Sequence, residues 1–127
     1  MILIAGGTGL APLKSIALAA LRQNWFSDIY LYHGGRTKAD IYDSEEFEAL
    51  SRQHDRFHYR PCLSEDQSGE RYGLVTDCIL DDLKSCKEMS AYVCGPPLMV
   101  QAAQKALKRR RMPPRRIYKE EFSRSGT

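Results

Sequence analysis

The stretch Ile2-Leu3-Ile4-Ala5-Gly6-Gly7-Thr8-Gly9-Leu10-Ala11-Pro12 decides the reading of the fold. Ile2 to Ala5 is a short apolar run without alternation, the pattern of a strand buried on both faces. Glycines end it. Pro12 then suits the opening of a helix, where its missing N–H is not needed. Leu13, Ile16, Ala17, Ala20 and Leu21 follow at the spacing of one helical face, and Asn24 ends the run.

The same alternation of strand and helix signals continues outward. Ile29 to His33 reads as a second strand that Gly34 and Gly35 break. Asp43 or Ser44 caps the next helix, with Glu45 and Glu46 in its first turn and Phe47 and Leu50 facing inward. Phe57 to Leu63 is a third strand, with Gly69 and Gly73 in the loop beyond it. Thr76 or Asp77 caps a helix through about Leu83, anchored by Ile79 and Leu80. Ala91 to Cys94 is a fourth strand. Gly95-Pro96-Pro97 turns it into a helix that places Met99, Ala102, Ala103, Ala106 and Leu107 on one face, and Met112-Pro113-Pro114 stops it. Arg116 to Phe122 is the last strand.

Five strands separated by four helices predict an α/β fold: a five-stranded parallel sheet with helices on both faces, a Rossmann-like nucleotide-binding lobe. It fills residues 1–122 as one domain and leaves a C-terminal tail at 123–127, SRSGT, expected to be disordered. Ligands of such sheets bind at the carboxyl ends of strands, which points to the loops at 6–12, 34–42 and 94–99.

Composition is that of an ordinary globular chain, with 43% hydrophobic and 28% charged residues among 127. No apolar run approaches the roughly 20 residues of a membrane span. The apolar N-terminus lacks the basic start and cleavage pattern of a signal peptide. The expected location is cytoplasmic. The four cysteines, Cys62, Cys78, Cys86 and Cys94, lie eight or more residues apart, so no metal site is expected from them, and Cys62 and Cys78 read as small buried hydrophobes. His33, His54 and His58 are taken as surface or strand residues. The net charge is +3, and most of the excess lies in Lys108 to Arg116, KRRRMPPRR. Lys108 to Arg111 close a predicted helix, where cations suit the negative end of the dipole. Without interleaved aromatics the run does not read as a nucleic-acid surface.

Two places carry chemistry. Gly6 to Pro12 lies between a strand and a helix N-terminus, where glycines let a phosphate approach the backbone and free N–H groups bind it. A plain tight turn is the alternative. The usual dehydrogenase fingerprint is not met: Pro12 stands at the third glycine, and no acid ends the second strand, which runs into Gly34-Gly35-Arg36. The second place is Cys94-Gly95-Pro96-Pro97, where the thiol either packs against a nicotinamide ring or is a buried cysteine before a turn.

Taken together and in order, GGTGLAP, LYHGGRTKADIYD, YVCGPPLM and YKEEF resemble the C-terminal pyridine-nucleotide lobe of the ferredoxin–NADP reductase superfamily. The likeness runs from Ile2 to Phe122 and is greatest to oxygenase reductase components and flavin reductases. The resemblance implies that Gly7, Thr8 and Gly9 hold the pyrophosphate and nicotinamide ribose. It puts Cys94 beside the nicotinamide carbon from which hydride passes to a flavin. Gly95 and Pro96 shape that turn, and Met99 and Ser64 lie near the nucleotide. Glu120 and Phe122 match the terminal E-x-F segment beside flavin and nicotinamide, with Cys94 and Glu120 as the catalytic pair. Gly35, Arg36, Lys38 and Tyr42 match the loop that holds the adenosine end.

Arg36 and Lys38 either pair with a 2′-phosphate or leave Arg36 stacked on adenine; NADH is preferred to NADPH because similar oxygenase reductases commonly use it. The family carries FAD on a barrel with an R-x-Y-[ST] motif that precedes this lobe. No such motif precedes Ile2, so the chain is expected to be a piece of a longer protein, inactive alone. Its expected partners are the flavin-binding domain and an electron acceptor such as a ferredoxin domain or an oxygenase. An iron–sulfur cluster would lie elsewhere in the parent. Two other readings are an NAD(H)-sensing module and a partner-docking domain without a redox role.

Overall fold

The computed structural model describes residues 1–6, 10–23, 27–35, 44–63 and 75–121. Asn24, Asp43, Gly69, Gly73 and the tail lie outside the described residues. Strands β1 (Ile2–Gly6), β2 (Ile29–Gly35), β3 (Phe57–Leu63), β4 (Ala91–Gly95) and β5 (Ile117–Glu121) alternate with helices α1 (Leu10–Arg22), α2 (Ser44–Gln53), α3 (Val75–Asp82) and α4 (Pro97–Arg109). A short 3-10 turn, Pro114–Arg116, precedes β5. All pairings are parallel and the strand order is β3-β2-β1-β4-β5. This is the five-stranded parallel sheet expected from the sequence.

Strand alternation divides the apolar residues between two cores. Ile2, Ile4, Tyr32 and Val93 pack on one face with Val75 and Ile79 of α3 and Val100, Ala103 and Leu107 of α4. Leu3, Ala5, Leu31 and Phe57 pack on the other with Leu13 and Ala17 of α1 and Phe47 of α2. Each large apolar side chain so buried contributes about 1.5–3 kcal/mol. Phe47 stacks on Phe57 and Tyr59, at ring-centroid distances of 6.3 and 5.3 Å, and holds α2 to β3.

Several boundaries differ from the sequence expectations, each for a local reason. Helix α1 begins at Leu10, so Pro12 is its third residue; the first four N–H groups of a helix lack intrahelical partners, so a proline fits there too. Gly34 and Gly35 do not break β2. They pair with Cys62 and Leu63 of β3, and a Cβ on Gly34 would lie 3.3 Å from Val75 Cβ, so glycine makes room for the start of α3. Thr76 and Asp77 are inside α3, whose anchors are Val75, Cys78 and Ile79, while Leu80 is half-buried. On α4 Ala102 is exposed and Val100 takes the inward place. The last strand begins at Ile117 because Pro114 to Arg116 form the 3-10 turn.

The basic run closes α4 as expected, with Lys108 and Arg109 in its last turn and Arg110 as the cap. The chain then reverses through Arg111, whose φ is 72°. Arg111 N–H donates to Lys108 O and Met112 N–H to Leu107 O, the bond pattern of a Schellman motif. Met112 and Leu107 lie in the same core. All four cysteines are buried, and among the described residues none forms a disulfide. Of the histidines, His33 is fully buried in β2, with Nδ1 3.3 Å from the Tyr59 hydroxyl, and His58 on β3 lies 3.1 Å from Asp28. Among the described residues no helix is long and apolar enough to cross a membrane.

Candidate functional site

The strand order reverses direction at β1. From there the chain leaves to α1 on one face of the sheet, whereas the neighbouring β4 leaves to α4 on the other. A crevice opens between two such departures, at the carboxyl ends of the strands. Gly6 ends β1 and Gly95 ends β4, and both are buried. Met99, in the first turn of α4, lies across them. A Cβ on Gly6 would come 2.8 Å from Met99 Cε. A Cβ on Gly95 would collide with the same methyl group and stand 3.3 Å from Gly6 O. The two glycines therefore make a bare seat for a methionine side chain that remains half-buried at the crevice floor.

The N-termini of α1 and α4 both face this end of the sheet. Neither has an acidic residue in its first turn, whereas α2 carries Glu45 and Glu46 and α3 carries Asp77. The positive ends of α1 and α4 thus carry no carboxylate in their own first turns, which suits an anionic ligand. Pro97 at the start of α4 costs no hydrogen bond there.

Cys94 precedes Gly95 and stands opposite Glu120 of β5 in the parallel register. Its side chain is 6% exposed and belongs to the α1-side core. Burial pushes the thiol above its ordinary range, and the charge of Glu120 adds to that shift. Cys94 is therefore a neutral, apolar surface at neutral pH. Glu120 is exposed at the edge strand, Pro96 is exposed at the turn, and Gly35 is half-buried at the end of β2. The structure thus brings together Cys94, Gly95, Pro96, Met99 and Glu120, with Gly35 two strands away from β4. Gly7, Thr8, Gly9, Arg36, Lys38, Tyr42, Ser64 and Phe122 lie outside the described residues.

Sequence reasoning placed Gly6 in the glycine stretch after β1 but did not foresee that it ends β1 beneath Met99. Nor did it note Leu98, which is 80% exposed at the start of α4, beside the crevice.

Comparisons with known proteins agree with this geometry. Residues 3–105 match the model of the oxidoreductase NAD-binding domain family. The chain is 46% identical over 124 residues to the reductase subunit of an aromatic O-demethylase from Amycolatopsis, covering 97% of this chain and 37% of that one. It is 36% identical over 128 residues to the ferredoxin–NAD(P)+ reductase component of a naphthalene 1,2-dioxygenase system from Pseudomonas putida, covering 99% and 39%. Among solved structures it superposes on the Amycolatopsis cytochrome P450 reductase GcoB with a TM-score of 0.90 at 46% identity, covering 96% of this chain and 37% of that one. The chain spans less than two fifths of the length of these relatives. With its parallel sheet, its glycine-floored switch point and this family match, the chain belongs to the oxidoreductase NAD-binding domain family.

Proposed function

We propose that this lobe holds NAD(P)H in the crevice between β1 and β4 and, in a longer protein, presents the nicotinamide to an FAD carried by another domain. The observation that carries this reading is the convergence of Cys94, Gly95 and Glu120 on one switch point between two acid-free helix N-termini. Gly7, Thr8 and Gly9 take the pyrophosphate and ribose. Gly35, Arg36, Lys38 and Tyr42 take the adenosine end, and Ser64 and Phe122 complete the nicotinamide side.

The nucleotide, once bound, supplies a hydride to the flavin. The chain's own residues position and shield. Cys94, kept as a neutral thiol, offers a flat apolar contact to the ring. Glu120 sets the polarity at the edge where the flavin arrives. Neither acts as a general acid or base. NADH is the preferred donor. The similarity to reductase components of a demethylase and a dioxygenase system supports onward transfer to an acceptor such as an oxygenase or a ferredoxin domain; an iron–sulfur cluster elsewhere in the parent is the other acceptor in this reading. The intact protein is then a cytoplasmic NAD(P)H-dependent flavin oxidoreductase.

The test is reduction of an artificial electron acceptor by the full-length, FAD-loaded protein with NADH or NADPH. Cys94→Ala should slow flavin reduction in stopped flow while leaving nucleotide affinity nearly unchanged. An unchanged rate would remove Cys94 from the proposed role.

A further inference from the structure

We propose that the end of the lobe opposite the nucleotide crevice is a docking face for an acidic, carboxylate-rich segment of a partner protein. Between residues 81 and 116 the chain carries nine Lys and Arg against three Asp and Glu, although the whole chain is only +3. The remainder of the chain is therefore net acidic, and the positive charge is segregated. Of the three acids, Asp82 is already engaged: Tyr32 Oη donates to it at 3.0 Å and Arg60 Nε lies 3.9 Å away.

Folding gathers these cations from three separate segments. The turn after α3, the end of α4 and the 3-10 turn before β5 all lie where β4 and β5 begin. Hydrogen bonds tie them to one another. Arg110 Nη2 donates to Leu80 O at 2.7 Å, Cys86 N–H donates to Arg110 O at 2.6 Å, and Arg116 Nη1 donates to Lys87 O at 3.0 Å. The Arg116 guanidinium, which lines the concavity, is thereby fixed before any partner arrives, which lowers the ordering cost of binding.

This end is concave. A cavity of about 520 Å³ is lined by Lys87, Arg115 and Arg116, with Glu88 also in its wall. Lys87 and Arg115 are exposed and make no hydrogen bond with their side chains to the described residues, so their charges are available. A pocket with discrete cations suits carboxylates that enter one at a time. No aromatic side chain lines it to stack a base, which separates it from a nucleic-acid surface. Because the face precedes β4 and β5 while the crevice follows them, a partner bound here leaves the nucleotide site open. The site is thus independent of the proposed nucleotide function.

The test is fluorescence anisotropy of a labelled decaglutamate peptide titrated with this chain, with a ten-residue oligothymidylate as the comparison probe. The peptide should bind more tightly than the oligonucleotide, weaken as salt is raised to about 150 mM, and remain bound in saturating NADH. Lys87→Gln/Arg115→Gln should weaken it about tenfold, the loss of two surface charge contacts, with thermal melting unchanged. Arg22→Gln/Arg56→Gln, on exposed residues at the same end of the sheet but before β2 and β3 and not in the cavity wall, should have little effect. If the double variant melts early, Arg115→Gln alone is the readout. Peptide affinity that ignores these substitutions, displacement by NADH, or tighter binding of the oligonucleotide would each overturn the proposal.

Discussion

Cys94 on β4 and Glu120 on β5 face each other across a parallel register, and the carboxylate adds to the burial that keeps the thiol protonated. The two residues come from strands separated in sequence by the whole of α4. Their meeting joins the end of the switch-point strand to the edge of the sheet.

Glu120→Gln should therefore make Cys94 more acidic. At a fixed pH between 8 and 9 alkylation of Cys94 by iodoacetamide, followed by mass spectrometry, should run faster in the variant, since the thiolate is the reactive form. An equal or slower rate would show that burial alone sets the thiol.

The same shift makes stability depend on pH. The folded chain holds the Cys94 proton more tightly than the unfolded chain does, so the contribution is complete below the ordinary cysteine value of 9.0. It is lost as pH rises through the higher folded value. Thermal melting of the parent chain should fall above pH 9, and Cys94→Ala should fall less steeply over the same window.

Gly95→Ala should displace Met99 from its seat. The Met99 methyl group can swing away, but the new Cβ still stands 3.3 Å from the Gly6 carbonyl. Overpacking of this kind costs about 1–3 kcal/mol. Urea denaturation of Gly95→Ala, Met99→Ala and the double variant should show that Met99→Ala recovers part of that loss. Additive losses would mean that the two residues do not compete for the same space.

Arg111→Gly should stabilise the chain. Arg111 holds a left-handed conformation at φ 72° and is exposed, so glycine removes a backbone cost of about 1 kcal/mol without removing a buried contact. Urea denaturation should show a higher midpoint at an unchanged slope.

Phe47→Ala should cost about 3–5 kcal/mol, because Phe47 is fully buried and is the one fully buried residue of α2. Amide exchange should then open first along α2 and β3.

Much of the fold is legible in the sequence. Phe57–Leu63 is delimited in sequence as it is in space, because its β-forming run is flanked by turn residues. The parallel sheet follows from the alternation of elements. What the pattern concealed is set by neighbours in three dimensions. Gly34 looks like a strand break, yet it continues β2 because Val75 needs the space above it. Ala102 and Val100 both fit a helical periodicity, and only the seating of α4 on the sheet turns Val100 inward. At the site, Cys94 and Gly95 were legible from their turn, whereas the contact of Met99 with Gly6 joins residues 93 apart in sequence. The cationic end was visible as one run, 108–116, but its cavity needs Lys87 from another segment.

The most direct measurement is a calorimetric titration of this chain with NADH, NADPH and 2′-phospho-AMP, following the four methionine methyl signals by NMR in parallel. Saturable binding of NADH that moves the Met99 methyl and leaves that of the buried Met112 in place is the predicted result. Tight binding of 2′-phospho-AMP would assign the donor as NADPH. No saturable heat and no shift at Met99 with any of the three would contradict the assignment of the β1/β4 crevice as the nucleotide site.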